Sequence, residues 1–245
     1  MAYRTKIEKI GIEDIYKYLE RFTPPHGIRG VVLHHAWQPL EINNASTVEA
    51  IQEYHIGLGW STIGANFYTG INGIWNGRSL DANNYAHANV DEEWSSVEAE
   101  AKAIAYPDKS YFNKYCIGIE TAGNYDKMEP SIDNAIGMSI QLISKILKFY
   151  NLDTNDIFFH RDVSGKSCPG NNVNRDWVRE MVKSMMLDSD ERPVKVFVKE
   201  TGQQIFCAAK IVNGKTICEL RPVCDALGYD IYQDLADGHI KIKKK

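Results

Sequence analysis

The sequence predicts an α/β fold, with a mixed central β-sheet flanked by helices, followed by a second, small α+β domain. Three observations carry this prediction. Short apolar runs at 30–33, 115–121 and 157–159 each end at or beside a residue with chemistry to offer: His34, Glu120 and His160. Longer stretches between them place apolar residues at helical spacing. A charged, proline-containing segment, Asp188-Ser-Asp-Glu-Arg-Pro193, then marks a change of composition. The expected domains are therefore 1–187 and 194–245, with 188–193 as a linker.

Gly30-Val-Val-Leu33 reads as a buried strand that delivers His34 to the sheet edge. Ser46, with Glu49 three residues later, forms a capping-box pattern and opens an amphipathic helix to His55, which Gly57, Gly59 and Gly64 break. Residues 67–78 read as two strands around an Asn72-Gly73 turn. Tyr115 to Thr121 is a further strand, expected beside the His34 strand. Ile136, Ile140, Ile143, Leu147 and Tyr150 recur three and four apart, so 131–150 is the main helix, starting near Ser131 or Asp133. Ile157-Phe-Phe159 feeds His160, and 174–187 closes the domain as a helix.

Beyond the linker, 194–198, 208–212 and 215–218 read as strands, with Asn213-Gly214 as a hairpin turn. Pro222 and Gly228 frame a short helix over 223–227. A final hairpin is expected over 231–242 around Asp237-Gly238.

With 245 residues, 44% of them hydrophobic, the chain has material for a buried core. A net charge of -4 argues against general nucleic-acid binding, and the basic tail Lys241-Ile-Lys-Lys-Lys245 is read as solvated. No stretch approaches the ~18 apolar residues that span a bilayer. The N-terminus lacks the apolar core and cleavage site of a signal peptide, so the chain is expected to be made and kept in the cytosol until something releases it. Five cysteines, at 116, 168, 207, 218 and 224, are odd in number and lack framework spacing, which fits a reducing compartment.

The segment His160-Arg-Asp-Val-Ser-Gly-Lys166-Ser-Cys168-Pro169 puts a histidine, a lysine and a cysteine on one loop. With His34 it makes a three-ligand zinc site. Three protein ligands and one open position are the pattern of catalytic zinc, whereas structural zinc closes with four. Side chains alternate along an extended chain, so His35 faces away from His34 and is read as a supporting or packing histidine. A structural zinc completed by His35 is the competing reading.

Val31-Val-Leu-His34-His35, Gly59-Trp60 with Gly64 and Phe67, Ile117-Gly-Ile-Glu120, and His160 with Lys166-Ser-Cys168-Pro169 together resemble the zinc-dependent N-acetylmuramoyl-L-alanine amidase family over roughly 25–185. That family includes phage endolysins, bacterial wall amidases and peptidoglycan recognition proteins. The resemblance implies one catalytic zinc held by His34, His160 and Cys168, with peptidoglycan as the partner. Glu120 is then the candidate proton shuttle, and Lys166 the candidate donor to the developing oxyanion. His87, Asn66 and Trp37 are candidate substrate contacts, while His55, Trp60 and Trp75 are read as packing residues. Many phage members carry a tyrosine where this chain has Ala65, and a subset instead places Glu at the strand end, as Glu120 is here.

The C-terminal residues around 211–229 resemble more weakly the small domain named after the N-terminal region of copper amine oxidases. No copper is expected from His239 alone. The module is read as wall-binding or as a homo-oligomerisation device. The expected function is endolysin-like cleavage of the N-acetylmuramic acid to L-alanine amide by zinc-activated water. Alternatives are a cytosolic muropeptide-recycling amidase and a recognition protein that binds without cleaving.

Overall fold

A computed structural model describes residues 2–36, 45–83, 85–87, 111–164 and 166–187, and beyond them the backbone of strands within 191–244. The chain divides into two compact units, Met1–Val182 and Lys183–Lys245.

In the first unit the elements run β1 (Lys9–Ile10), α1 (Ile15–Leu19), β2 (Gly30–His35), α2 (Ala45–Gly57), β3 (Phe67–Gly70) and β4 (Gly73–Asn76). They continue with α3 (Tyr111–Tyr115), β5 (Cys116–Thr121), α4 (Ala135–Tyr150), β6 (Ile157–Phe159) and α5 (Arg175–Met186), whose last turn belongs to the second unit. The six strands form one sheet in the order β1-β4-β3-β5-β2-β6. Neighbours among β3, β5, β2 and β6 are parallel, and β4 pairs antiparallel with β1 and β3, which gives the expected mixed sheet. All six residues of β2 are buried, because a strand inside a parallel sheet is covered on both faces. That is why it reads as a continuous apolar run.

The main helix supplies much of the core. Ile136, Ile140, Ile143 and Leu147 are fully buried, and α4 packs on α1, β3 and β5. Ser139 Oγ lies 2.5 Å from Thr69 Oγ1 and 2.6 Å from Thr121 Oγ1, pinning the helix to two strands. The helix begins at Ala135 rather than near Ser131 or Asp133. Asn134 is its N-cap, accepting from the Ile136 N–H at 3.2 Å. The preceding turn folds so closely over α4 that a Cβ at Gly137 would meet the Ile132 carbonyl.

Two further boundaries move. α2 starts at Ala45, so Ser46 lies inside its first turn rather than before it. In the hairpin Gly70 pairs with Gly73, so the loop is Ile71-Asn72, one residue earlier than the Asn72-Gly73 pair suggests. Gly73 takes the first paired position at φ 149, a conformation that favours glycine.

The second unit has a three-stranded antiparallel meander, β7 (Glu191–Phe197), β8 (Gln204–Val212) and β9 (Lys215–Cys218), and a hairpin of β10 (Tyr229–Gln233) with β11 (Ile240–Lys244). Strand pairing starts at Glu191, inside the segment read as a linker. Asn213-Gly214, the 223–227 helix and the Asp237-Gly238 turn lie outside the described residues. Among the described residues no helix is long and apolar enough to cross a membrane.

Candidate metal centre and active site

Strand register assembles the site. Across β2 and β5, His34 pairs with Glu120; across β2 and β6, Leu33 pairs with Phe159, so His160 follows at the next step. Glu120, His34 and His160 therefore stand at the carboxyl ends of three adjacent parallel strands, the end of an open α/β sheet where ligands bind. Cys168 returns to them on a braced loop. The Arg161 N–H donates to the Cys168 carbonyl at 2.6 Å, and the Arg161 guanidinium donates to the carbonyls of Gly170 and Val173. Asp126 accepts from Ser167 Oγ and from the Asn171 N–H, both at 2.8 Å.

The donor atoms of His34, His160 and Cys168 lie within 4.8 Å of one another. Burial lowers the pKa of His34 well below the usual histidine value, and burial with the Lys166 ammonium takes His160 to about 4. Both rings are thus neutral at physiological pH and keep a lone pair for a metal. Burial pushes the Cys168 thiol up, against a bond donated by the His35 N–H to Sγ at 3.3 Å. A thiol that resists ionisation alone but sits between two neutral imidazoles fits a dication that would stabilise its thiolate. Two nitrogens and one sulfur suit zinc, and three ligands leave a position open. His35 is not part of this group; its Nδ1 accepts from the Tyr125 N–H at 3.3 Å, the supporting role expected of it.

The three donors open onto a cavity of about 720 Å³ that Glu120, Lys166 and Ala65 also line. Glu120 is half-buried, and desolvation raises its pKa to about 7 against the opposing Lys166 charge. Lys166 is exposed at the rim. Glu120 therefore lines the same cavity as Ala65, the position where many phage members carry a tyrosine.

Other sequence-derived site residues are placed differently. His87 is 2% exposed and lies beneath the donors rather than on the groove, with Nδ1 3.0 Å from His34 Nε2 and Nε2 2.9 Å from the Cys116 carbonyl. Burial takes its pKa down to about 3. Asn66 is buried as well: it is 1% exposed, its Oδ1 accepts from the Gly118 N–H, and its Nδ2 donates to the Arg78 carbonyl. Trp37 lies outside the described residues. Trp75 is core, as expected.

His55 and Trp60, expected to pack the helix on the sheet, instead form part of the groove wall. Their rings stack at 4.5 Å and 12°, Trp60 is 39% exposed, and Tyr54 beside them is 64% exposed. The available signal was an aromatic in a glycine-rich loop just past a helix end.

A family profile described as N-acetylmuramoyl-L-alanine amidase matches residues 23–171. Peptidoglycan-recognition protein SC1a of Drosophila melanogaster is 33% identical over 133 residues, covering 52% of this chain and 58% of that protein. The chain thus spans less than two thirds of the length of the curated relatives it matches. Among solved structures, the endolysin N-acetylmuramoyl-L-alanine amidase LysCS from Clostridium intestinale URNW is 25% identical, covering 65% of this chain and 84% of that one, with a TM-score of 0.47. Drosophila PGRP-LB is 20% identical, covering 73% and 85%, with a TM-score of 0.46.

Proposed function

This chain belongs to the N-acetylmuramoyl-L-alanine amidase family, and from that premise we propose that it hydrolyses the amide between the lactyl group of N-acetylmuramic acid and the L-alanine of the peptidoglycan stem peptide. The observation that carries the proposal is Glu120, a carboxylate with pKa near 7 at the strand end beside the His34, His160 and Cys168 donors. Those three would hold one zinc, which when bound polarises a carbonyl and acidifies a water.

The chain's own residues supply the rest. Glu120 takes the proton of the attacking water as its oxygen bonds the carbonyl carbon, then returns it to the departing L-alanine nitrogen as the C–N bond breaks. Desolvation raises the Glu120 pKa to about 7 in the metal-free protein, which brings the carboxyl within reach of both transfers near neutral pH. Lys166 presents its ammonium to the carbonyl oxygen that becomes negative, a role worth about 3 kcal/mol for a preorganised donor. The Trp60–His55 stack and Tyr54 offer flat apolar faces along the groove for sugar or peptide. The proposal extends to an endolysin-like setting, with action on the wall after release from the cytosol and the 183–245 unit binding wall or a second copy.

The rival reading is recognition without cleavage, favoured by the likeness to peptidoglycan-recognition protein SC1a. Release from purified walls by wild type, Glu120→Ala and Cys168→Ser separates the two. Mass spectrometry is expected to find new L-alanine amino termini with wild type, and none with either variant, zinc being lost mainly in Cys168→Ser. A wild type that binds walls and zinc yet frees no amino termini belongs to the recognition class.

A further inference from the structure

We propose that His87 is a positioning residue of the metal centre, holding the His34 ring in the tautomer that presents Nδ1 to the metal and anchoring His160 through its own backbone. The inference rests on the zinc reading above and concerns residues beneath the groove.

A carbonyl oxygen only accepts, so the 2.9 Å contact between His87 Nε2 and the Cys116 carbonyl places the proton of the neutral ring on Nε2. His87 Nδ1 is then a lone pair. Its partner at 3.0 Å, His34 Nε2, must donate to it, which leaves Nδ1 as the ring nitrogen of His34 free to bind a metal. The two rings meet edge to edge, with centroids 5.3 Å apart and planes inclined by 29°, which aligns the N–H of one with the lone pair of the other and holds His34 in orientation as well as in protonation. The ring of His160 is also hydrogen-bonded to the backbone of His87. One residue thus meets both histidine donors from below.

His87 is itself fixed. Its N–H donates to Asn113 Oδ1 at 2.7 Å. Its ring occupies the space left by Gly118, where a Cβ would fall 2.3 Å from His87 Cε1. Asn66 holds that glycine by accepting the Gly118 N–H at 2.8 Å and donating its own N–H to the Gly118 carbonyl at 3.0 Å. The glycine in Cys116-Ile-Gly-Ile-Glu120 and the buried amide of Asn66 are explained together: they make the slot for the histidine. Partners that orient a liganding histidine typically govern metal affinity by about 10–100-fold.

Two readouts test this without recourse to activity. In the metal-free wild type, nitrogen-15 correlation spectra of the imidazoles are expected to give the Nε2–H tautomer for both His34 and His87. Zinc affinity, measured by competition with a chromophoric chelator, is expected to fall about 10–100-fold in His87→Ala. His87→Asn keeps an acceptor near Nδ1 and is expected to restore part of that loss. His87→Gln reaches toward Cys116 without serving His34 and is expected to restore little. An Nδ1–H tautomer at either histidine overturns the proposal, as does wild-type affinity in His87→Ala or equal affinity in the Asn and Gln variants with their far-ultraviolet spectra unchanged. A wild type that binds no zinc defeats the metal reading itself and this proposal with it, whereas a wrong tautomer with zinc bound defeats this proposal alone.

Discussion

Glu120→Gln is expected to lower hydrolysis of the muramoyl–alanine amide by about 10²–10⁴-fold, the usual contribution of a general base, with zinc content and wall binding unchanged. The substitution keeps size and hydrogen-bonding capacity and removes only the ability to carry a proton. The same residue sets the pH dependence. Desolvation raises its pKa to about 7, so in the metal-free protein the carboxyl stays protonated at pH values where ordinary carboxylates have ionised. A base must be ionised to accept a proton, so the rate rises with pH along an acid limb; a bound dication pulls that limb below 7. Stability has the opposite sign. A carboxyl whose folded pKa lies above its unfolded value contributes stability at low pH and loses it as pH rises from about 4.5 to about 7. Glutamine never ionises, so metal-free Glu120→Gln is expected to melt higher than metal-free wild type above pH 7, with the gap closing toward pH 4.5. Undiminished turnover in the variant would remove Glu120 from the chemistry.

That carboxylate was legible in the sequence because of how a parallel sheet is built. Strands covered on both faces appear as apolar runs, and their carboxyl ends converge, so the residues that stop the runs, His34, Glu120 and His160, meet in space. Cys168 was legible through its spacing from His160. What could not be read was which side of the sheet a loop residue ends on. His87 reads as a substrate contact because loops are exposed, yet residues 85–87 tuck against α3 and the start of β5, where Tyr85 donates its N–H to the Asn113 carbonyl at 2.6 Å and His87 Nε2 lies 2.9 Å from the Cys116 carbonyl. The signal was Gly118, since a glycine inside a strand often marks the close approach of another group. Asn66 follows the same logic, its burial deriving from a bond to that strand. The start of α4 was misplaced for another reason: Ser131, Asp133 and Asn134 are all able caps, and the Ile132 carbonyl over Gly137 selects among them.

Asp162→Ala is expected to destabilise the protein by about 3 kcal/mol, the cost of breaking a buried ion pair by removing one partner. Asp162 is 3% exposed and lies two residues past His160. One carboxylate oxygen accepts from the Phe159 N–H at 2.8 Å, and the other receives the guanidinium of Arg175 on α5. Alanine leaves a buried N–H on the last residue of β6 and takes this carboxylate from Arg175. Arg161 and Arg175 both lie over the Phe159 ring, at 4.6 and 5.2 Å, so two cations stay near each other with one less anion beside them. For a unit of this size, 3 kcal/mol corresponds to a fall in Tm of roughly 6–12 °C. The damage should also reach the metal, because Asp162 sets the turn that aims His160. Zinc affinity is therefore expected to fall in Asp162→Ala, and Asp162→Asn, which keeps an acceptor for the Phe159 N–H, should recover more of the affinity than of the thermal stability. A variant that melts with wild type would mean that Arg175 finds other partners at no cost. Unchanged zinc affinity in a destabilised variant would mean that the Cys168 loop, braced by Arg161 and Asp126, positions His160 unaided.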